Sequence, residues 1–213
     1  MKTPATGPTS NFPSRLSANK QRVEARLAAR GSQYISRQHS EAIYLGIDPH
    51  ESYSIFQVLS EYMGDRLAGV RRVAEIGSGL SINSFVLSQL LPQVTEVTGL
   101  EIDPVLLNNA KAIKRELEIK FGFALSAVKF KRQDVLTADL SDYDALVGWF
   151  PLASHISDKQ LLQVFRQLRP GALLIQLSNL HPLDAAEDND RKGFRAIMPD
   201  YPGYLPAAVF ERI

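Results

Sequence analysis

Apolar positions along the chain change period several times, and the changes mark out its elements. Within residues 17–30, Val23 and Leu27 recur four apart among basic residues, which predicts a helix stopped by Gly31. Within residues 51–67, Ile55, Phe56, Leu59, Tyr62, Met63 and Leu67 recur at three and four, predicting a second helix with one face on the domain. Short apolar runs then alternate with amphipathic stretches. Strands are predicted at 72–76, 96–101, 128–132, 145–149 and 172–177, and helices at 81–91, 104–121 and 158–168. Pro104 opens its helix at the first turn, and Arg169-Pro170-Gly171 makes a turn. The stretches 194–198 and 207–212 read as an antiparallel edge pair. Such alternation implies the α/β class: a doubly wound, mostly parallel seven-stranded sheet, with an antiparallel C-terminal edge and an N-terminal helical extension.

Composition narrows the possibilities. At 213 residues and 45% hydrophobic, the chain suits one α/β domain with a short extension. A chain of this size buries roughly 70% of its unfolded surface. It has no cysteine, so disulfides, thiolate metal sites and cysteine nucleophiles are excluded. Its four histidines, His39, His50, His155 and His181, are scattered without metal-ligand spacing, so no metal is expected. A net charge of +1 disfavours a surface built wholly for nucleic acid, which stays a possible but unfavoured partner. No apolar run approaches the roughly 20 residues of a membrane span. A soluble, cytoplasmic protein is expected.

The N-terminus is biased. Residues 1–14 are rich in Thr, Pro, Ser and Asn, a composition expected to be disordered. Up to His39, Lys2, Arg15, Lys20, Arg22, Arg26, Arg30 and Arg37 face a single Glu24. This start reads as a solvated tail leading into a surface helix; an organelle transit peptide or an arm for polyanions are the alternatives. The expected organisation is a disordered basic tail at 1–16, a helical cover at 17–68 and a ligand-binding domain at 69–213.

Chemistry concentrates where strands end. The run Val73-Ala-Glu75-Ile-Gly77-Ser78-Gly79-Leu-Ser81 closes an apolar strand on Gly-x-Gly, and the next strand ends in Leu100-Glu101-Ile102-Asp103-Pro104. The glycines permit a sharp turn and close backbone approach to a ligand, and Glu101 falls where it can accept from both hydroxyls of a ribose. Ligands of such sheets bind outside the carboxyl ends of the strands, where Gly77, Glu101, Asp134 and Trp149 all fall. The third position of a dinucleotide fingerprint is Ile82 instead of glycine, and no Gly-Lys-Ser/Thr follows to make a P-loop. A buried Glu75 would repel phosphate and suits a ligand carrying ammonium or sulfonium charge.

Residues from about 70 to 177 resemble the class I S-adenosylmethionine-dependent methyltransferases. The resemblance is carried by Glu75-Ile-Gly77-Ser-Gly79, Leu100-Glu101-Ile-Asp103, Arg132-Gln-Asp134-Val135, Asp142-Tyr-Asp144-Ala-Leu-Val147 and Leu168-Arg-Pro-Gly171-Ala-Leu-Leu174. It implies a Rossmann-like fold and S-adenosyl-L-methionine as cofactor. Glu75, Gly77, Ser78, Gly79, Ser81, Glu101, Ile102, Asp134 and Val135 are the implied binding residues, with Asp134 on the adenine amino group. Ser81 and Ala172 replace glycines common in the family, and the Ser81 hydroxyl is a candidate to lie near the ligand.

Several of these residues have plainer readings. Asp134 is also a candidate cap for residues near Ala138 or a partner for Lys131, and Asp103 reads best as the N-cap of the helix after it. The reaction implied is methyl transfer to a small-molecule or protein acceptor, with Tyr53, Trp149, Phe150 and His155 as candidate substrate contacts. Tyr53 and Glu61 lie on the covering helix, and His181 near the same edge. Gly148-Trp-Phe-Pro151 lacks the polar head of an amino-directed nucleic-acid methyltransferase motif. A weaker similarity to the nicotianamine synthase group, in Ile76-Gly-Ser-Gly79, Ser84-Phe-Val-Leu-Ser88 and the tail, implies aminobutanoyl transfer instead. A non-catalytic binding protein is the third reading.

Overall fold

The computed structural model describes residues 11–29, 47–149, 156–177, 193–197 and 207–213. Seven strands form one sheet: β1 (Arg72–Ile76), β2 (Glu96–Glu101), β3 (Val128–Arg132), β4 (Ala145–Trp149), β5 (Leu173–Leu177), β6 (Phe194–Ala196) and β7 (Ala207–Arg212). Their order is β3-β2-β1-β4-β5-β7-β6. The first five run parallel, and β7 is antiparallel to both β5 and β6. The expected antiparallel pair therefore exists, but β7 is inserted beside β5 and only β6 is the edge. The chain winds outward from β1 to β3, then returns to β4 on the other side of β1. That reversal makes the β1–β4 boundary the switch point of the sheet.

Helices cover both faces. One apolar cluster joins one face to α1 (Phe12–Ala29), α2 (Pro49–Tyr62), the single turn α3 (Gly64–Leu67), α4 (Ile82–Leu90) and α5 (Pro104–Phe121). A second joins Ala74, Ile76, Leu146, Leu174 and Phe210 on the opposite face to Leu161, Leu162, Val164 and Phe165 of α6 (Asp158–Phe165). Because both faces are buried, β5 is inaccessible along its whole length, as parallel strands require.

Helix boundaries follow local chemistry. Asp48 caps α2 by accepting from the His50 and Glu51 amides, and Asp103 caps α5 through Val105 and Leu106, the role expected for it. Gly122 (φ 71°) ends α5, and Ser157 with Gln160 forms a capping box on α6. Two boundaries differ most from expectation. The helix predicted over 51–67 breaks at Met63, ahead of Gly64, a poor helix former. Helix α1 starts at Phe12 instead of residue 17, so residues 12–16 are not part of a disordered tail. Pro13 is tolerated in a first turn, and fully buried Phe12 meets the Phe123 ring edge-on at 4.8 Å.

The basic side chains of α1 face partners within the protein. Arg22 donates to Glu116 at 2.7 Å, Arg26 bonds Asn109, Lys20 pairs with Glu24 and Arg15 lies over the Phe121 ring. Among the described residues no helix is long and apolar enough to cross a membrane.

Candidate functional site

Three left-handed residues in five build the turn between β1 and α4. Gly77 (φ 57°), Gly79 (φ 53°) and Ser81 (φ 58°) alternate with Ser78 and Leu80. Glycine takes this conformation freely, whereas at Ser81 it costs about 1 kcal/mol. The Ser81 hydroxyl is buried and donates to Ser78 Oγ at 3.1 Å. Both hydroxyls sit over Gly99 of β2, where a Cβ would lie 2.6 Å from Ser81 Oγ and 2.9 Å from Ser78 Oγ. Gly99 is thus glycine because the turn needs that space. Ser78 also donates its amide to the Leu100 carbonyl, so it holds the turn against β2.

The handedness of Ser81 decides what Glu75 does. In this conformation the Ser81 side chain makes no cap bond to α4. Glu75 replaces it from below: Oε2 accepts the Ser84 amide (2.9 Å) and hydroxyl (2.5 Å), and Oε1 accepts from Asn83 Nδ2 (2.9 Å). Ser52 of α2 donates in turn to Asn83 Oδ1 at 2.8 Å. Four buried polar residues therefore tie β1, α4 and the covering helix together. Glu75 is 3% exposed, and burial pushes its carboxyl up to about 7 against the hydrogen bonds from Ser84 and Asn83. Glu75, expected to suit a cationic ligand, caps α4 in this structure. Asn83, Ser84 and Ser52 escape a sequence reading, although two adjacent polar residues in the first turn of a largely apolar helix are a visible signal.

Glu101 is held differently. Its Oε2 accepts the Gly79 amide at 2.7 Å and its Oε1 the Asp103 amide at 2.9 Å. Each oxygen keeps a second lone pair, and the carboxylate retains 7% exposure at the strand tip. Beside it, Gly77 is exposed, and Ile102 (59% exposed) and Leu136 (36%) leave apolar side chains in solvent at the ends of β2 and β3. Asp134 accepts the Leu136 amide through Oδ1, which caps the short 3-10 turn Val135–Thr137, and Val135 is buried in the second cluster.

The fold thus gathers Gly77, Gly79, Glu101, Ile102 and Asp134 at neighbouring strand tips. Glu75, Ser78 and Ser81 lie beneath that surface and support it. Of the candidate substrate contacts, Tyr53 is half-buried against the first cluster, and the Trp149 backbone ends β4 opposite Leu177. Phe150, His155 and His181 lie outside the described residues.

No family model matches the chain. It is 28% identical over 144 residues to an arsenite methyltransferase of Rattus norvegicus, a match covering 62% of this chain but only 39% of that relative. A mutant of MtNAS crystallised with S-adenosylmethionine superposes with a TM-score of 0.58 at 15% identity, covering 96% of this chain and 74% of the other. The magnesium protoporphyrin IX methyltransferase ChlM of Synechocystis, solved with S-adenosylmethionine, gives 0.54 at 14% identity, covering both chains fully. The chain is similar to the class I S-adenosylmethionine-dependent methyltransferases and shares their Rossmann-like fold.

Proposed function

We propose that the chain binds S-adenosylmethionine at the tips of β1, β2 and β3 and transfers its methyl group to an acceptor. The observation that carries this reading is Glu101, pinned by two backbone amides beside a left-handed glycine turn and left with a lone pair on each oxygen. The residues present fit the cofactor. Glu101 accepts from the two ribose hydroxyls, exposed Gly77 allows close backbone approach, and Asp134 has its second oxygen for an adenine amino group. Ile102 and Leu136 give apolar cover to the base. When bound, S-adenosylmethionine supplies an electrophilic methyl carbon. The protein's own work is to bind, align the acceptor and exclude water, which needs no acid–base triad.

The acceptor is a small molecule or a protein segment. Arsenite is not proposed despite the curated relative: a soft centre favours thiolate ligands, and this chain has no cysteine. A second reading is aminobutanoyl transfer, favoured by the match to MtNAS, which spans the N-terminal helices as well as the sheet. Calorimetry of the full chain with S-adenosylhomocysteine tests the first step, and absence of heat overturns it. Incubation with S-adenosylmethionine and cell extract separates the transfers: S-adenosylhomocysteine as product supports methylation, methylthioadenosine the other. Cofactor binding without either product would leave a non-catalytic binding protein.

A further inference from the structure

Across β1, β4, β5 and β7 the middle of the sheet face that carries α6 is apolar, between Arg72 and Arg212 at one end and a polar side chain at the other. In that middle, Ala74, Leu146, Leu174 and Phe210 stand side by side across the four strands. The rung above holds Ile76, Gly148, Gln176 and Ala208 in the same register. It is the final rung before the Gly77 turn and the ends of β4 and β5. Gln176 is the only strongly polar side chain among these eight, and it is fully buried. Neither its Oε1 nor its Nε2 has a hydrogen-bond partner among the described residues. Its neighbours on both sides, Gly148 and Ala208, project nothing beyond a Cβ.

A buried amide that has lost water and found no partner destabilises a fold, and native proteins leave very few. Leucine or methionine would pack in this strand without that cost. An orphaned amide flanked by two minimal side chains on an apolar floor has the mix of one polar group and apolar lining that small-molecule sites use. It also lies beside the β1–β4 switch point, next to the tips assigned above to the methyl donor.

We propose that Gln176 is a specificity-determining residue for the acceptor. Its carboxamide pairs with a small-molecule group offering one donor and one acceptor side by side, a carboxamide or a protonated carboxyl, received in the strip between Gly148 and Ala208. This deepens the methyltransferase reading and rests on it for the word acceptor.

Benzamide is the probe, with toluene as the apolar control, followed by ligand-observed NMR on the full chain with S-adenosylhomocysteine present. Benzamide is expected to bind the wild type, and Gln176→Met, which keeps length and removes both polar atoms, should weaken it by about tenfold while toluene is unaffected. Gln176→Leu serves as a second variant, and thermal melting verifies that both fold. Failure of benzamide to bind the wild type overturns the proposal. So does equal binding by Gln176→Met, the result expected if the amide is satisfied by a buried water only. Calorimetry with S-adenosylhomocysteine on the same samples separates the two readings. Cofactor heat with benzamide indifferent to residue 176 sinks this inference alone. Benzamide binding that depends on Gln176 without cofactor heat supports the site and sinks the donor assignment.

Discussion

The two ends of the sheet treat their polar groups in opposite ways. At the amino end, Asp144 at the foot of β4 gathers three donors. Its Oδ2 accepts the Arg71 and Arg72 amides at 2.7 and 2.8 Å, and its Oδ1 pairs with Arg169. Partial burial pushes this carboxyl up, but those donors outweigh it and hold it below the usual range. The Arg71 carbonyl accepts from Thr95 and Glu96, and the Gly171 amide reaches the Arg212 carbonyl. At the carboxyl end Glu101 is half satisfied, Ser81 is held left-handed, Gln176 has no partner among the described residues, and burial pushes the Glu75 carboxyl up to about 7. The amino end uses its carboxylate to hold strands together, although Arg212 Nε there is also buried without a partner among the described residues. The carboxyl end keeps a strained serine and an unpaired amide beside the strand tips, which is where a fold accommodates a ligand.

The sharpest way to break this contrast is pH. Glu75 has a folded value of about 7 against 4.5 unfolded, so folding favours its neutral form. The stability it contributes is whole below the unfolded value and is lost as pH rises through the folded one. At about 1.36 kcal/mol per pH unit the loss approaches about 3 kcal/mol. Glu75→Gln should flatten that fall. Its unfolding free energy relative to wild type, from urea titrations at pH values spanning the interval, should rise with pH. A constant difference would mean that the buried carboxyl is not felt.

A matched pair of truncations sharpens the comparison at the next scale. Glu101→Ala should weaken S-adenosylhomocysteine binding by roughly 1–3 kcal/mol, because ribose hydroxyls lose a charged acceptor. Asp144→Ala should instead lower unfolding free energy by roughly 1–3 kcal/mol, since two backbone amides and Arg169 lose their acceptor, with cofactor affinity unchanged. If Asp144→Ala reduces affinity as much as Glu101→Ala, the two ends are not separable.

The smallest effect concerns Ser81. Gly99→Ala should destabilise the wild type, because the new methyl meets Ser81 Oγ and Ser78 Oγ well inside contact distance. Ser81→Gly removes one of those hydroxyls and relieves the left-handed serine, so the same Ala should be better tolerated in that background. A double-mutant cycle should give a coupling of about 1 kcal/mol. No coupling would place the strain elsewhere.

Much of the architecture is legible in the chain itself. The shift from short apolar runs to period 3.6 is written into local sequence, which is why β1 to β4 and α5 fall at their expected bounds. Gly77, Gly79 and Glu101 are legible for a similar reason, since a turn and the strand end beside it are short-range facts. Other properties depend on which residues meet across the sheet, and no local pattern reports that. The insertion of β7 beside β5, the room that Gly99 leaves for two serines, and the capping of α4 by Glu75 all arise from long-range pairing. Gln176 is the clearest case. Within Leu-Leu-Ile-Gln-Leu it reads as one polar residue in a buried strand, and only its register against Gly148 and Ala208 leaves the amide without a partner. The sequence alone determined the elements and the nucleotide-like tips. Tertiary structure decided which acid stays at a strand tip and which holds a helix, because burial and hydrogen-bond partners are properties of the assembled layers.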